Sequence, residues 1–369
     1  MTGTHRASKR TYRALIAALA VVTLVALVVG ATRASNGGGR TEAGVGSGMA
    51  SRSAVPAVGE LGEGSGMASG SESPGPSKAP ESKKGTIVIH AAGDTSLDPS
   101  YVPTLRTQGW DYPWTGLDGI FQKDDLSILN FECPVARPGI GSKLDKEFAF
   151  LCDPRGLPAM RRAGVEVASL ANNHAYDYGP EALLASIDEI EDAGMTPLGA
   201  GEDDRAAEEP AIFNLKGWRV AVVPWDYVVD PWPTAVAAPN HPGTAFGHNF
   251  KAVERAVGRL DPKVDLTIVQ THWGVELETQ PNPGQDTLGH RLIDAGADVI
   301  FGGHSHRLQP LEIYKDKPIF WSLGNFVWPN FSAAGSQTGV AEVTIKPNGQ
   351  IKAKLLPATI TAPGHPDLR

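Results

Sequence analysis

Apolar and polar positions alternate along this chain in blocks that change period. "TIVIHAAGD" (86–94) is a β-branched run that reads as a buried strand ending in Gly93–Asp94, and "LSILNFE" (126–132) is a second one ending in Asn130 and Glu132. "PRGLPAMRRAG" reads as a helix stopped by Gly164, followed by "VEVASLANNH", a strand that runs into Asn172, Asn173 and His174. "GPEALLASIDEIEDAG" (179–194) carries the 3.6-residue period of an amphipathic helix, with Pro180 in its first turn and Gly194 past its end. The alternation continues with strand 218–226, helix 249–260, strand 264–274 ending near His272, helix 284–296, and strand 297–306 ending at His304 and His306. Segments 318–326, 338–349 and 351–360 are then closely spaced strands, the last two forming a hairpin over Asn348–Gly349. Strand–helix–strand alternation followed by strands alone predicts α/β layers, either a mixed sheet or two packed sheets flanked by helices, in one domain over 85–369.

Upstream the pattern is different. Ala14 to Ala31 is an uncharged run of 18 residues preceded by His5, Arg6, Lys9, Arg10 and Arg13. As a helix it would span roughly 27 Å, against about 30 Å for a bilayer core. Basic residues before the run place segment 1–13 in the cytoplasm and everything after Arg33 outside, which makes the expected location the cell membrane, single-pass, with the C-terminal domain extracytoplasmic. The run is longer than a usual signal-peptide core, which favours an anchor; Ala31 and Ala34 would permit cleavage and a secreted product. Residues 32–84, rich in Gly, Ser, Ala and Pro with "GSGMAS" at 46–51 and 64–69, read as a disordered linker.

Charge sharpens the division. Residues 85–369 carry 23 Lys/Arg against 36 Asp/Glu, an acidic balance that argues against nucleic acid as a partner. An acidic polymer as substrate would need a locally positive or metal-bearing groove. The two cysteines, Cys133 and Cys152, lie in the exported part; an oxidising compartment permits a disulfide, and two buried free thiols are the alternative.

The candidate chemistry lies where the strands stop. Asp94, Glu132, Asn173, His174, His272, His304 and His306 each end or closely follow one of five apolar runs, and in layered α/β proteins such ends converge on one edge where ligands bind. Taken singly, Gly–Asp is an ordinary turn and His272 an ordinary core histidine. Gly-Gly-His-Ser-His has few structural uses, and the joint occurrence points to a metal site. Imidazole, carboxylate and amide together suit borderline divalent ions such as Mn²⁺, Zn²⁺ or Fe²⁺. Asp177 could orient His174 or cap the helix that follows, and Asn325 could reach the site from a neighbouring strand or serve a turn. The tryptophans at 110, 114, 225, 232, 273, 321 and 328 suit either a polymer groove or core packing.

Gly93–Asp94, "NFE" at 130–132, "ANNHAYDYG" at 171–179, "HWG" at 272–274, "GGHSH" at 302–306 and "SLGNF" at 322–326 fall in the order and spacing of one family. In these motifs the chain resembles the CapA family of poly-γ-glutamate capsule synthesis, itself similar to the calcineurin-like metallophosphatases. The resemblance implies an α-β-β-α sandwich of two sheets flanked by helices. It implies Asp94, Glu132, Asn173, His272, His304 and His306 as metal ligands and His174 as the catalytic group, with Asn130, Asp177 and Asn325 supporting them. The pattern departs from the phosphatases at Ser96, where a His is expected, and at Asn130-Phe-Glu132, where Gly-Asp-x-x-Asp is expected. One metal, or a weak second one, follows. The implied function is a metal-dependent hydrolase or transferase acting on an anionic polymer such as poly-γ-glutamate, alongside other capsule-synthesis membrane subunits. A non-catalytic polymer-binding export subunit and a phosphoesterase are the alternatives.

Overall fold

The computed structural model describes residues 83–228 and 235–368. The run 14–31, the linker up to residue 82 and Trp232 lie outside the described residues. Among those described, no helix is long and apolar enough to cross a membrane.

The strands, in chain order, begin with β1 (Ile87–Thr95), β2 (Leu126–Phe131), β3 (Val167–Ser169), β4 (Thr196–Leu198) and β5 (Ala200–Gly201). Next come β6 (Ala211–Leu215), β7 (Trp218–Asp226), β8 (Gly243–Thr244), β9 (Leu266–His272) and β10 (Val299–Gly303). The last are β11 (Leu311–Tyr314), β12 (Lys317–Phe320), β13 (Gln337–Ile345), β14 (Ile351–Ala362) and β15 (His365–Leu368). One sheet has the order β15-β14-β13-β1-β2-β3-β4 and the other β11-β12-β10-β9-β7-β6. β1, β2, β3 and β4 run parallel, as do β7, β9, β10 and β12, so each sheet sends several C-terminal ends to the same edge.

Period-two alternation explains the layering. Ile87, Ile89, Ala91, Leu126, Ile128 and Val167 face Val220, Val222, Ile268, Val299, Phe301 and Phe320 across the two sheets, in one fully apolar layer. The opposite face of the first sheet packs Leu129 and Ala168 against Met160, Leu183 and Ile190 of helices Leu157–Arg162 and Gly179–Asp192. The opposite face of the second packs Val223, Val269, Ile300 and Ile319 against Val253, Val257 and Leu292 of helices Phe250–Leu260 and Pro283–Asp294. The result is the four-layer α-β-β-α sandwich expected. Truncating a fully buried side chain of the central layer, as in Ile128→Ala, costs about 2–5 kcal/mol.

One expected element is shorter than the pattern suggests. The apolar segment 318–326 leaves the sheet at Phe320, because Gly324 turns at φ +65° and brings Leu323–Phe326 back across the end of β1. There Asp94 N–H donates to Gly324 O at 2.8 Å and Phe326 N–H to Asp94 O at 2.8 Å. A Cβ on Gly93 would sit 1.9 Å from Gly324 O, so only glycine permits this crossing. Cys133 and Cys152 form a disulfide that closes the loop between β2 and the helix at Leu157.

Candidate metal centre

All seven strand-end residues meet at one edge of the sandwich. Asp94 ends β1, Glu132 follows β2, Asn173 and His174 follow β3, His272 ends β9, and His304 and His306 follow β10. Gly303 allows the two sheets to close here, since a Cβ on it would lie 2.7 Å from Asp94 Oδ1. The loop that follows is strained: His304 and His306 adopt φ of +86° and +51°, a region that costs a non-glycine residue about 1–2 kcal/mol.

One part of the cluster closes on itself by hydrogen bonds. Asn130 Nδ2 donates to Asp94 Oδ1 at 2.8 Å and lies 3.1 Å from His272 Nδ1. His272 Nε2 is 2.9 Å from Asn173 Oδ1 and 3.2 Å from His304 Nδ1. Burial first, and then the neighbouring imidazoles, push His272 well below its ordinary value and His304 down to about 3. Both rings are therefore neutral at physiological pH, the form that can present a lone pair.

The other part is carboxylate-rich and unsatisfied. Asp94, Glu132 and His306 offer donor atoms that all lie within 4.8 Å of one another. His306 Nδ1 is 2.9 Å from Asn325 Oδ1 and 3.1 Å from Asp94 Oδ2, and its Nε2 faces Glu132 Oε1 at 3.7 Å. Among the described residues neither Glu132 oxygen has a hydrogen-bond donor, and Asp94 Oδ2 lacks one of good geometry, although both carboxyls are fully buried. Burial and then the charge of Asp94 hold Glu132 well above the usual carboxylate range. Burial alone would lower His306, but Glu132 and Asp94 together push it up to about 10. A buried carboxylate with no donor is costly, and a cation is the partner that satisfies it.

The residues present therefore fit a divalent ion. Asp94, Glu132 and His306 through Nε2 form the compact donor set; His272 Nε2, 3.6 Å from Glu132 Oε1, is next to it. Asn173 and His304 are hydrogen-bonded to His272.

His174 stands beside this set. Its Nδ1 is 2.8 Å from Asp177 Oδ2 and its Nε2 is 4.0 Å from Glu132 Oε1. Asp177 is itself fixed by Phe150 N–H at 2.8 Å and by Lys146 Nζ at 2.5 Å, and Lys146 also donates to Asn173 O at 2.9 Å. The Phe150 ring lies 4.5 Å from the His174 ring, and Trp328 stacks on His306 at 4.9 Å. Among the tryptophans, Trp225, Trp273 and Trp321 are core residues, while Trp328 is a wall of the site.

Lys146 and Phe150 were not visible in the sequence, because residues 137–150 have neither helical nor strand period. Their placement between the two cysteines is the one available signal. Asn172 also matters: its Nδ2 donates to Asn130 Oδ1 and Phe131 O, and its Oδ1 accepts from His174 N–H, tying the β2 and β3 ends together.

Residues 88–330, which include every residue of this cluster, match the family described as bacterial capsule synthesis protein PGA_cap. The capsule biosynthesis protein CapA of Bacillus anthracis is 30% identical over 291 residues, covering 77% of this chain and 70% of that protein. The PGA biosynthesis protein CapA of Bacillus subtilis (strain 168) is 27% identical, covering 73% of this chain and 70% of that protein. On that match, over most of its length and through all of its strand-end residues, this chain belongs to the bacterial capsule synthesis protein PGA_cap family.

Proposed function

We propose that this protein is a metal-dependent hydrolase or transferase acting on the γ-glutamyl amides of an anionic capsule polymer. The observation that carries the reading is Glu132: a buried carboxyl with two unbonded oxygens, grouped with Asp94 and His306 and facing His174. Asp94, Glu132 and His306 would hold a divalent ion, which when bound would supply Lewis acidity at that spot. The protein's own residues supply the proton handling. Asp177 holds Nδ1–H of His174 and thereby leaves Nε2 as the working nitrogen. In hydrolysis, water gives a proton to His174 Nε2 as its hydroxide joins the carbonyl carbon, the C–N bond breaks, and His174 Nε2 returns that proton to the departing nitrogen. In transfer, an acceptor amine replaces the water. The relatives' names, with their capsule and PGA biosynthesis, support the polymer.

We further place this domain outside the cytoplasmic membrane, tethered by the 14–31 run. The Cys133–Cys152 disulfide supports an oxidising compartment, and the basic residues before the run support the orientation.

A second reading, a polymer-binding subunit of an export assembly, is favoured by the closure of Asn173, His272 and His304 on one another. Incubating the metal-loaded protein with poly-γ-glutamate and following polymer length separates the two. Catalysis predicts shortening or amine-dependent capping that His174→Ala abolishes while metal content and fold are kept. Unchanged polymer with wild type under Mn²⁺, Zn²⁺ and Fe²⁺ would reject catalysis and leave the binding subunit.

A further inference from the structure

A negatively charged polymer must approach a cluster that already holds Asp94 and Glu132, so the cations at its rim matter. Lys146 is committed to Asp177 and to the Asn173 carbonyl. Arg307 is not committed to any carboxylate. It follows His306 directly, is half-buried, and its Nη1 donates to the His306 carbonyl at 2.7 Å, beside a candidate ligand. No carboxylate among the described residues is within ion-pair distance of it.

Holding a guanidinium partly out of water with only a carbonyl for company is unfavourable. Its place is beside the cluster: a Cβ on Gly335 would meet both Arg307 Nη1 at 3.1 Å and Asn325 Nδ2 at 3.6 Å, so the guanidinium lies near the amide whose oxygen holds His306 Nδ1. One of its five N–H groups is used. The others remain for a planar anion, which a guanidinium binds through two parallel hydrogen bonds. The same rim carries an aromatic shelf, with Trp328 on His306, Tyr101 edge-on to Trp328 at 5.2 Å, and Phe331, 49% exposed, edge-on to Tyr101 at 5.7 Å.

We infer that Arg307 is the anchor for a substrate carboxylate, the α-carboxylate of a γ-linked glutamate bound at the cluster. This assignment rests on the polymer reading above. In a γ-linked chain the α-carboxylate sits on the carbon bonded to the amide nitrogen, so an arginine next to the ligand His306 would register each amide against Glu132 and His174. In an α-linked chain the carboxylate is at the end of a two-carbon arm and would miss that register. Arg307 is thus a specificity-determining residue.

The test uses the full chain loaded with Mn²⁺ and calorimetric binding of γ-linked pentaglutamate, the same pentamer with its α-carboxylates converted to amides, and inorganic phosphate. Arg307→Gln is expected to weaken the pentamer by roughly 10- to 100-fold, as expected for losing a charged hydrogen-bond pair, and Arg307→Lys by less. The amidated pentamer should bind weakly, and equally to wild type and Arg307→Gln. Equal pentamer affinity in wild type and Arg307→Gln would overturn the anchor while leaving the polymer reading intact. No pentamer binding by metal-loaded wild type would overturn both. Phosphate binding that is tighter than the pentamer and lost in Arg307→Gln would reassign Arg307 to a phosphate. Metal content and circular dichroism check the fold, and if Arg307→Gln fails them, unchanged pentamer binding by Arg307→Lys at a tenfold-lower detection threshold rejects a bidentate anchor.

Discussion

The two halves of the strand-end cluster both bury polar side chains and solve the problem in opposite ways. His272, His304, Asn173 and Asn130 form a chain of hydrogen bonds in which the imidazoles stay neutral. Asp94, Glu132 and His306 keep carboxylate oxygens without donors, and Glu132 and His306 hold protons more tightly than usual. The first half is complete as it stands, whereas the second is complete only with a cation. Burial and residue type alone do not distinguish a site from a packed polar core; the missing donors around Glu132 do.

The largest effect should come from the residue that carries this contrast. Glu132→Gln is predicted to weaken divalent-metal binding by roughly a thousandfold, since loss of a ligand's supporting partner alone costs about 10–100-fold. The metal-free variant should be at least as stable as wild type, because a buried carboxyl without donors is removed. Thermal melts with and without metal show both signs at once.

Opening the disulfide tests the His174 side instead. Lys146 and Phe150, which fix Asp177, lie in the loop between Cys133 and Cys152. A Cys133→Ser/Cys152→Ser double variant should lose about 3 kcal/mol of stability, as expected for a loop of that length, and lose turnover more than metal affinity. Equal loss of both in metal titrations and polymer assays would mean that the loop supports the whole cluster.

Asn325→Ala removes the oxygen that holds His306 Nδ1 and should lower metal affinity by about 10–100-fold, with His304→Gln having the smaller effect. The reverse ranking in metal titrations would exchange the roles of the two halves.

The two halves also predict opposite pH limbs for the metal-free protein. Folded-state values of His272 and His304 lie below the unfolded value near 6.5, so their contribution is present above that pH and is lost as pH falls toward the His304 value of about 3. Glu132 and His306 are raised, so their contribution is present at low pH. It is lost as pH rises, from about 4.5 upward for Glu132 and from about 6.5 to about 10 for His306. Denaturation across pH should show a weaker alkaline decline in Glu132→Gln and a weaker acid decline in His304→Gln. Metal must displace the protons of the second half, so affinity should rise with pH between about 6 and 9, by up to about tenfold per unit per proton released. A flat profile would indicate that those protons are absent.

Much of this was legible in the sequence because each strand advertises its end. An apolar run broken by Asp94, Glu132, Asn173, His272 or His304 states where a side chain leaves the core, and parallel strands then gather those ends without further instruction. Gly93 and Gly303 were visible as glycines, but the close approaches that require them, to Gly324 and to Asp94, belong to the tertiary structure. The turn at Gly324, which ends β12 early and brings Asn325 to His306, was hidden inside an apolar segment. β15 was missed because four residues containing Pro366 carry no strand period and pair only as an edge. Which of the six candidate ligands form the compact set was also illegible, because it depends on hydrogen bonds between residues up to 210 positions apart.

The most direct measurement is elemental analysis with metal titration of the full chain as wild type, Glu132→Gln, His306→Gln and His304→Gln, at fixed pH with Mn²⁺, Zn²⁺ and Fe²⁺. The structure predicts that wild type retains a divalent ion, that Glu132→Gln and His306→Gln lose it while staying folded, and that His304→Gln keeps it with reduced affinity. A wild type that binds none of the three, or a folded Glu132→Gln that binds as wild type does, would contradict the assignment of this cluster as a metal centre.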